Sequence, residues 1–71
     1  MGKLVCIKGH GDNARQLFVK ELNEAKGEVI FTERSSEAHD YGGDYFTRAQ
    51  ADYLKFHFAG KYPELKNIKP W

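Results

Sequence analysis

The fold is decided by residues 3–33, which read KLVCIKGHGDNARQLFVKELNEAKGEVIFTE. The stretch begins with a short apolar run from Leu4 to Ile7, and a glycine follows at Gly9. A run of this length, bounded by lysines and a glycine, is typical of a β-strand. Because no polar residue alternates within it, we expect the strand to be covered on both faces.

The middle of the stretch predicts an amphipathic helix. Within residues 14–25 the apolar side chains recur at the spacing of one helix face, at positions 14, 17, 18, 22 and 25. Asn13 suits the N-cap of such a helix, and Gly27 suits the position after its last turn. A second apolar run, Val29 to Phe31, then predicts another strand. Together these elements form a βαβ crossover, in which the two strands are parallel and the connection is right-handed.

The remaining chain predicts a loop, a second helix and a C-terminal turn. Residues 34–46 are polar and contain two adjacent glycines, so they form a loop or, alternatively, a short third strand within 38–46. The segment from Thr47 to Gln50 has the spacing of a capping box, which predicts a helix over 47–59. Residues 61–71 form a short turn and a tail.

The sequence therefore predicts one domain over residues 1–71, a small two-layer α/β domain of the order β-α-β-(β)-α, or α+β if the third strand forms. A two-stranded sheet has two open edges, and a third strand or a homodimer through a sheet edge would cover one of them. The second helix is expected to turn residues 46, 49, 53, 54 and 57 or 58 toward the sheet. The expected core consists of Leu4, Val5, Ile7, Leu17, Phe18, Leu22, Val29, Phe31, Leu54 and Phe58.

Composition limits the class of protein. The net charge of the 71 residues is +1, so there is no overall attraction to nucleic acid or to an anionic membrane. The charge is uneven, because residues 28–47 carry five acidic side chains and one basic one, whereas residues 48–71 carry five basic and two acidic ones. A single cysteine and the lack of a signal peptide predict a soluble cytoplasmic protein without disulfides. No apolar run approaches the length of a membrane span.

The glycine loop after the first strand is a weak candidate for an anion-binding site, formed by Gly9, His10 and Gly11. A loop between a strand and a helix N-terminus favours anions, because free N–H groups and the helix dipole point into it. The residues match neither of the common glycine-rich phosphate-binding patterns. The plainer interpretation is a tight turn with an N-cap, and a small enzyme built on this loop is the second alternative function.

No motif predicts a catalytic site, a metal site or a cofactor. Cys6 lies between two β-branched residues and is interpreted as a small buried hydrophobe. The three histidines and the acidic residues show no metal-ligand spacing. We therefore predict no catalytic residues, no metal and no cofactor.

Two other segments are candidates for binding a macromolecule. The C-terminal third mixes basic and aromatic side chains, as single-stranded nucleic acid requires, and its candidate residues are Arg48, Lys55, Phe56, Lys61, Tyr62 and Lys66. The acidic, tyrosine-rich segment before the second helix resembles an adaptable protein-recognition surface. Its candidate residues, together with the terminal tryptophan, are Asp40, Tyr41, Asp44, Tyr45 and Trp71.

The leading prediction is a non-catalytic interaction module that binds a protein. Its grounds are the small size, the lack of a catalytic constellation and an aromatic content of 14%. A protein of this kind suits an accessory or inhibitory role, such as phages and mobile elements encode. The first alternative is a nucleic-acid-binding domain that uses the C-terminal third.

Overall fold

The computed structural model describes residues 2–71 and shows a small α+β domain with four antiparallel strands and one α-helix. Three short 3₁₀ turns lie at Gly11–Asn13, Ser35–Glu37 and Pro63–Asn67. The main elements are β1 (Leu4–Lys8), β2 (Arg15–Asn23), β3 (Glu28–Thr32), α1 (Asp44–Phe58) and β4 (Lys69–Pro70).

The sheet has the strand order β3-β2-β1-β4, and every neighbouring pair is antiparallel. The two strands predicted from apolar runs are present as β1 and β3. They do not pair with each other as a βαβ crossover requires, because β2 lies between them. The predicted parallel pair is therefore wrong, and two hairpins take its place.

The helix predicted over residues 14–25 is also wrong, because this segment is the long central strand β2. A β-bulge explains the misleading pattern. Val19 pairs with Phe31 and Glu21 pairs with Ile30, so Lys20 is an extra residue without an opposite partner. The bulge shifts the alternation by one, and the side chains that β2 turns toward the helix are Leu17, Val19 and Leu22.

The main core lies between one face of the sheet and a cover made of α1 and the turn Pro63–Asn67. The strands contribute Leu4, Cys6, Val19 and Val29, while the cover contributes Ala51, Leu54, Leu65 and Ile68. Among the predicted core residues, Ile7, Leu17, Leu22, Phe31 and Phe58 are only half-buried. The list of expected core residues omits Val19, Ala51, Leu65 and Ile68, which are buried.

The opposite face of the sheet carries a smaller cluster of Val5, Phe18 and Ala38. The loop before α1 covers part of this face. Its backbone is hydrogen-bonded to β2 and to the segment before β1, since the N–H of His39 donates to the carbonyl of Val19 and the N–H of Tyr41 donates to the carbonyl of Gly2. No strand forms within residues 38–46, so the third-strand alternative is wrong, and residues 44–46 of the predicted loop belong to α1.

Helix α1 is present as predicted but begins at Asp44 rather than Thr47. Gly43 occupies the N-cap and makes no side-chain cap. The Thr47 hydroxyl, expected to cap the helix, instead donates to the carbonyl of Gly43 one turn back, at 2.9 Å. Thr47 is 1% exposed, so it lies in the buried stripe of the helix and not at its start.

The two edges of the sheet differ. β3 has no strand on its outer side, whereas the other edge ends with the two residues of β4. Beyond β4 the side chain of Asn67 continues the ladder: its Oδ1 accepts from the N–H of Ile7 at 2.8 Å, and its Nδ2 donates to the carbonyl of Ile7 at 3.1 Å. The side-chain amide thus replaces a peptide group just before β4 begins.

Candidate functional site

The solvent side of α1 carries large apolar side chains that the fold leaves uncovered. Tyr45 is 75% exposed, Phe46 is 65% exposed and Phe56 is 78% exposed. Ala49 is also exposed, and Tyr53 is half-buried beside it. These five residues, Tyr45, Phe46, Ala49, Tyr53 and Phe56, are called the α1 aromatic face below.

The α1 aromatic face is regular along the helix. Phe46, Ala49, Tyr53 and Phe56 follow one another at intervals of three, four and three residues, which brings them into one line over about three turns. The buried stripe of the helix is different and consists of Thr47, Ala51 and Leu54. Positions 46, 49 and 53 were predicted to face the core. The prediction is wrong for Phe46 and Ala49, which are exposed, whereas Tyr53 is half-buried against the main core.

One flank of the α1 aromatic face forms an open groove of about 470 Å³. Phe46, Ala49 and Tyr53 line it from the helix, and Tyr41 and Glu24 line it from the loop and from the β2–β3 hairpin. The exposed surface of the groove is mostly apolar. Its concave shape offers a site for one bulky apolar side chain of another molecule.

Internal contacts hold part of the α1 aromatic face in place. The hydroxyl of Tyr53 donates to Glu24 at 2.8 Å, and this hydrogen bond raises the pKa of Tyr53. The Tyr53 ring also lies 4.7 Å from that of His57 and 5.8 Å from that of Phe58. Tyr45 and Phe46 contact each other edge to face at 5.4 Å. Because these side chains are already restricted, ordering them on binding costs less conformational entropy.

A row of alternating charges follows the other flank of the face. Asp44, Arg48, Asp52 and Lys55 are all exposed on α1. Arg48 and Asp52 border β4. The three ion pairs found among residues 2–71 join Arg15 with Glu33, and Lys20 and Arg34 with Glu37. None of them uses a charge of this row.

The structure divides the predicted protein-binding residues between two sides of the sheet. Asp40, Tyr41, Asp44 and Tyr45 lie together at the N-terminal end of α1. Asp40 accepts a hydrogen bond from the N–H of Gly42 at 2.8 Å. Burial raises the pKa of Tyr41, whose ring contacts that of His39 at 4.5 Å.

Trp71 lies on the opposite side of the sheet from α1. The Trp71 ring packs edge to face on that of Phe18, with the ring centroids 5.1 Å apart. The backbone N–H of Trp71 donates to the carbonyl of Lys3 at 2.9 Å. The Lys3 ammonium lies 5.8 Å from the Trp71 ring. These contacts place Trp71 against Phe18 of the smaller cluster, and 51% of the residue stays exposed.

The predicted nucleic-acid-binding residues come from three segments. Arg48, Lys55 and Phe56 lie on α1, Lys61 and Tyr62 follow it, and Lys66 lies in the last 3₁₀ turn. Two of the six make contacts within the protein. The Tyr62 ring packs edge to face on that of Phe31 at 5.6 Å, and the Lys61 ammonium donates to the carbonyl of Gly27 at 3.3 Å.

Gly9, His10 and Gly11 lie between β1 and β2, and Gly11 begins a three-residue 3₁₀ turn, not an α-helix. The helix dipole on which the anion-binding hypothesis depended is therefore absent from this place. Gly9 and Gly11 have φ angles of 93° and 57°, which explains why the turn needs glycines. The His10 side chain is exposed.

Cys6 is fully buried under α1, and its thiol lies 3.6 Å from the carbonyl of Leu17. Burial, with a smaller effect of the Glu64 charge, raises the pKa of Cys6 to about 11. The thiol therefore stays protonated at neutral pH and is a poor nucleophile. Within residues 2–71, no three side chains of His, Cys, Asp or Glu come together as metal ligands do.

No helix in the described part of the chain combines the length and the apolar character needed to cross a bilayer. Comparison of the chain with protein-family models, with curated proteins and with solved structures found no significant match.

Proposed function

We propose that this protein is a non-catalytic interaction module that binds a protein partner through the α1 aromatic face. The observation that carries the proposal is the exposure of three large aromatic side chains, Tyr45, Phe46 and Phe56, on one helix. Exposed apolar patches of this kind mark interaction sites in folded proteins. Tyrosine and phenylalanine are also enriched in the buried centre of protein interfaces.

The arrangement of the face supports a protein as the ligand. Its side chains extend along about three turns of a helix and are too widely spread for one small molecule. The groove beside Phe46 and Tyr53 is open and accepts a protruding side chain. The carboxylates of Asp44 and Asp52 on the charged flank disfavour a phosphate backbone and favour a surface with both signs of charge.

Site-specific cross-linking tests the proposal. Tyr45 is replaced by the photoreactive residue p-benzoylphenylalanine, which keeps an aromatic ring at an exposed end of the face. The protein is irradiated in an extract of its source cell. We expect an adduct with a protein, and we expect it to be lost when Phe46→Ser and Phe56→Ser are added.

The matched control carries the same photoreactive residue at Lys66, an exposed position of the last 3₁₀ turn. The control should give no adduct of the same mass. Equal adducts from both positions, or an adduct that survives the two serine substitutions, would show that the α1 aromatic face is not the binding surface.

A further inference from the structure

We infer that the partner of the α1 aromatic face is a second copy of this chain, with the two α1 helices antiparallel across a two-fold axis. This inference rests on the proposed function, because it names the occupant of the same surface. Three features carry it: the spacing of the apolar residues, the order of the flanking charges and the length of the helix.

The spacing of the face fits a helix-on-helix contact. Apolar residues at alternating intervals of three and four form the line that two packed helices share. Phe46, Ala49, Tyr53 and Phe56 follow this rule. Ala49 is near the middle of α1, where a small side chain lets two helix axes approach within about 8–10 Å. The larger rings on either side of Ala49 then pack around the crossing point.

The charges on the flank select the antiparallel orientation. Read along α1, Asp44, Arg48, Asp52 and Lys55 alternate in sign. When two antiparallel copies cross near residue 50, the same flanks of the two helices meet. Arg48 then stands opposite Asp52 of the second copy, while Asp44 and Lys55 lie farther from the contact. A parallel pair would instead place this flank against the opposite flank of the second helix, where Gln50 lies, and Arg48 and Asp52 would lose these partners.

The single chain leaves these charges available. The ion pairs formed within residues 2–71 use other side chains, and all four members of the row are exposed. Fixing exposed charges in place adds little affinity, because water already solvates them. Their effect is on orientation, and the aromatic side chains supply the attraction.

The expected dimer is weak. A helix of 15 residues is roughly 22 Å long, and one face of it buries on the order of 400–500 Å² per copy. Such an area is at the lower limit of specific interfaces, so we expect a dissociation constant in the micromolar range.

Sedimentation equilibrium of the purified protein between about 5 and 500 µM tests the inference, since association shifts with concentration by mass action. The wild type should rise from the 8.2 kDa of one chain toward twice that mass. Phe56→Ser should remain monomeric. Arg48→Asp and Asp52→Arg, each alone, should weaken association about tenfold. An equimolar mixture of these two variants should recover it, because the opposing charges are again opposite in sign. Lys66→Glu is the control and should behave like the wild type.

The inference is overturned if the wild type is monomeric throughout, or if Phe56→Ser associates as the wild type does. If Arg48→Asp and Asp52→Arg, each alone, associated as strongly as the wild type, the antiparallel orientation would be wrong. A monomeric wild type that still forms the Tyr45 adduct with a different protein would refute self-association and leave the proposed function in place. If the wild type is monomeric and Tyr45 cross-linking also gives no adduct that depends on Phe46 and Phe56, the proposed protein-binding function is refuted as well.

Discussion

Two substitutions on α1 test which side of the helix faces the sheet, on which the proposed surface depends. Leu54 and Phe56 are two residues apart, but Leu54 is 0% exposed and Phe56 is 78% exposed. Leu54→Ala creates a cavity under the helix and should cost about 2–5 kcal/mol of unfolding free energy. For a chain of 71 residues the whole unfolding free energy is about 4–11 kcal/mol. This substitution should therefore remove a large part of the stability.

Phe56→Ala should have almost no effect on stability. The ring is already in water, so its removal leaves no cavity, and alanine is the better helix former by a few tenths of a kcal/mol. We expect a change within about 0.5 kcal/mol of the wild type. Two large apolar residues in the same helix turn are thus predicted to differ: Leu54→Ala should destabilise the protein strongly and Phe56→Ala hardly at all.

The measurement is urea unfolding followed by far-UV circular dichroism at about 2 µM protein, where self-association contributes little. A loss above about 1.5 kcal/mol for Phe56→Ala would show that the ring is packed and that the α1 aromatic face is not free. A loss below about 1 kcal/mol for Leu54→Ala would refute the orientation of α1.

Three further outcomes are expected. Gly9→Ala should lower the unfolding free energy by about 1–3 kcal/mol in the same assay, because φ is 93° and the new Cβ would lie 2.7 Å from the carbonyl oxygen of Asn13. Gly60→Ala is the control and should be nearly neutral, because its new Cβ meets nothing within 4 Å. Equal losses for the two variants would contradict this account of the turn. The pKa of Cys6 is raised to about 11, so the folded thiol stays neutral where the unfolded thiol ionises. The neutral, buried Cys6 thiol should therefore not lower the unfolding free energy below about pH 9. As the pH rises to about 11, the wild type should lose roughly 2–3 kcal/mol of unfolding free energy. If a Cys6→Ala protein showed the same pH dependence, Cys6 would not be its cause. Labelled oligonucleotides should show no salt-sensitive binding between about 50 and 200 mM salt, whereas binding that weakens in Lys55→Ala and Lys66→Ala would support the nucleic-acid alternative.

Much of the local structure could be predicted from the sequence, because it depends on signals within a few residues. The apolar runs Leu4 to Ile7 and Val29 to Phe31 correspond to β1 and β3. The helix before Gly60 was also predicted, within three residues at its start. Such elements have one dominant period and glycine boundaries, and both can be recognised without knowing the fold.

The strand β2 could not be predicted in this way. Its segment contains good helix formers, and the bulge at Lys20 turns the two-residue period of a strand into a pattern that resembles a helix face. A bulge is defined by the opposite strand, so it leaves no separate signal in its own sequence. Tertiary pairing with β1 and β3 decided the structure of this segment.

The candidate site shows the same limit. The sequence identified Tyr45 as a binding residue, and it identified Phe56 only for nucleic acid, while Phe46 and Tyr53 were assigned to the core. Helix α1 contains two apolar stripes, and its local sequence favours either one as the buried side. Thr47 and Ala51 are small enough to let the helix lie close to the sheet, whereas the larger Phe46 would hold it away, and Tyr53 packs at the edge of the core.

The sequence by itself determined that helix and strand both occur, and it located the apolar strands β1 and β3, the helix before Gly60 and a chain without an evident catalytic motif. Only the tertiary structure decided that residues 15–23 form the central strand and that Trp71 packs against Phe18 on the back of the sheet. It also decided that α1 turns its aromatic side to the solvent. Local propensities in so short a chain differ by a few tenths of a kcal/mol per residue, whereas packing a helix or a strand against the core is worth several times more. Long-range contacts therefore outweigh the local pattern wherever the two disagree.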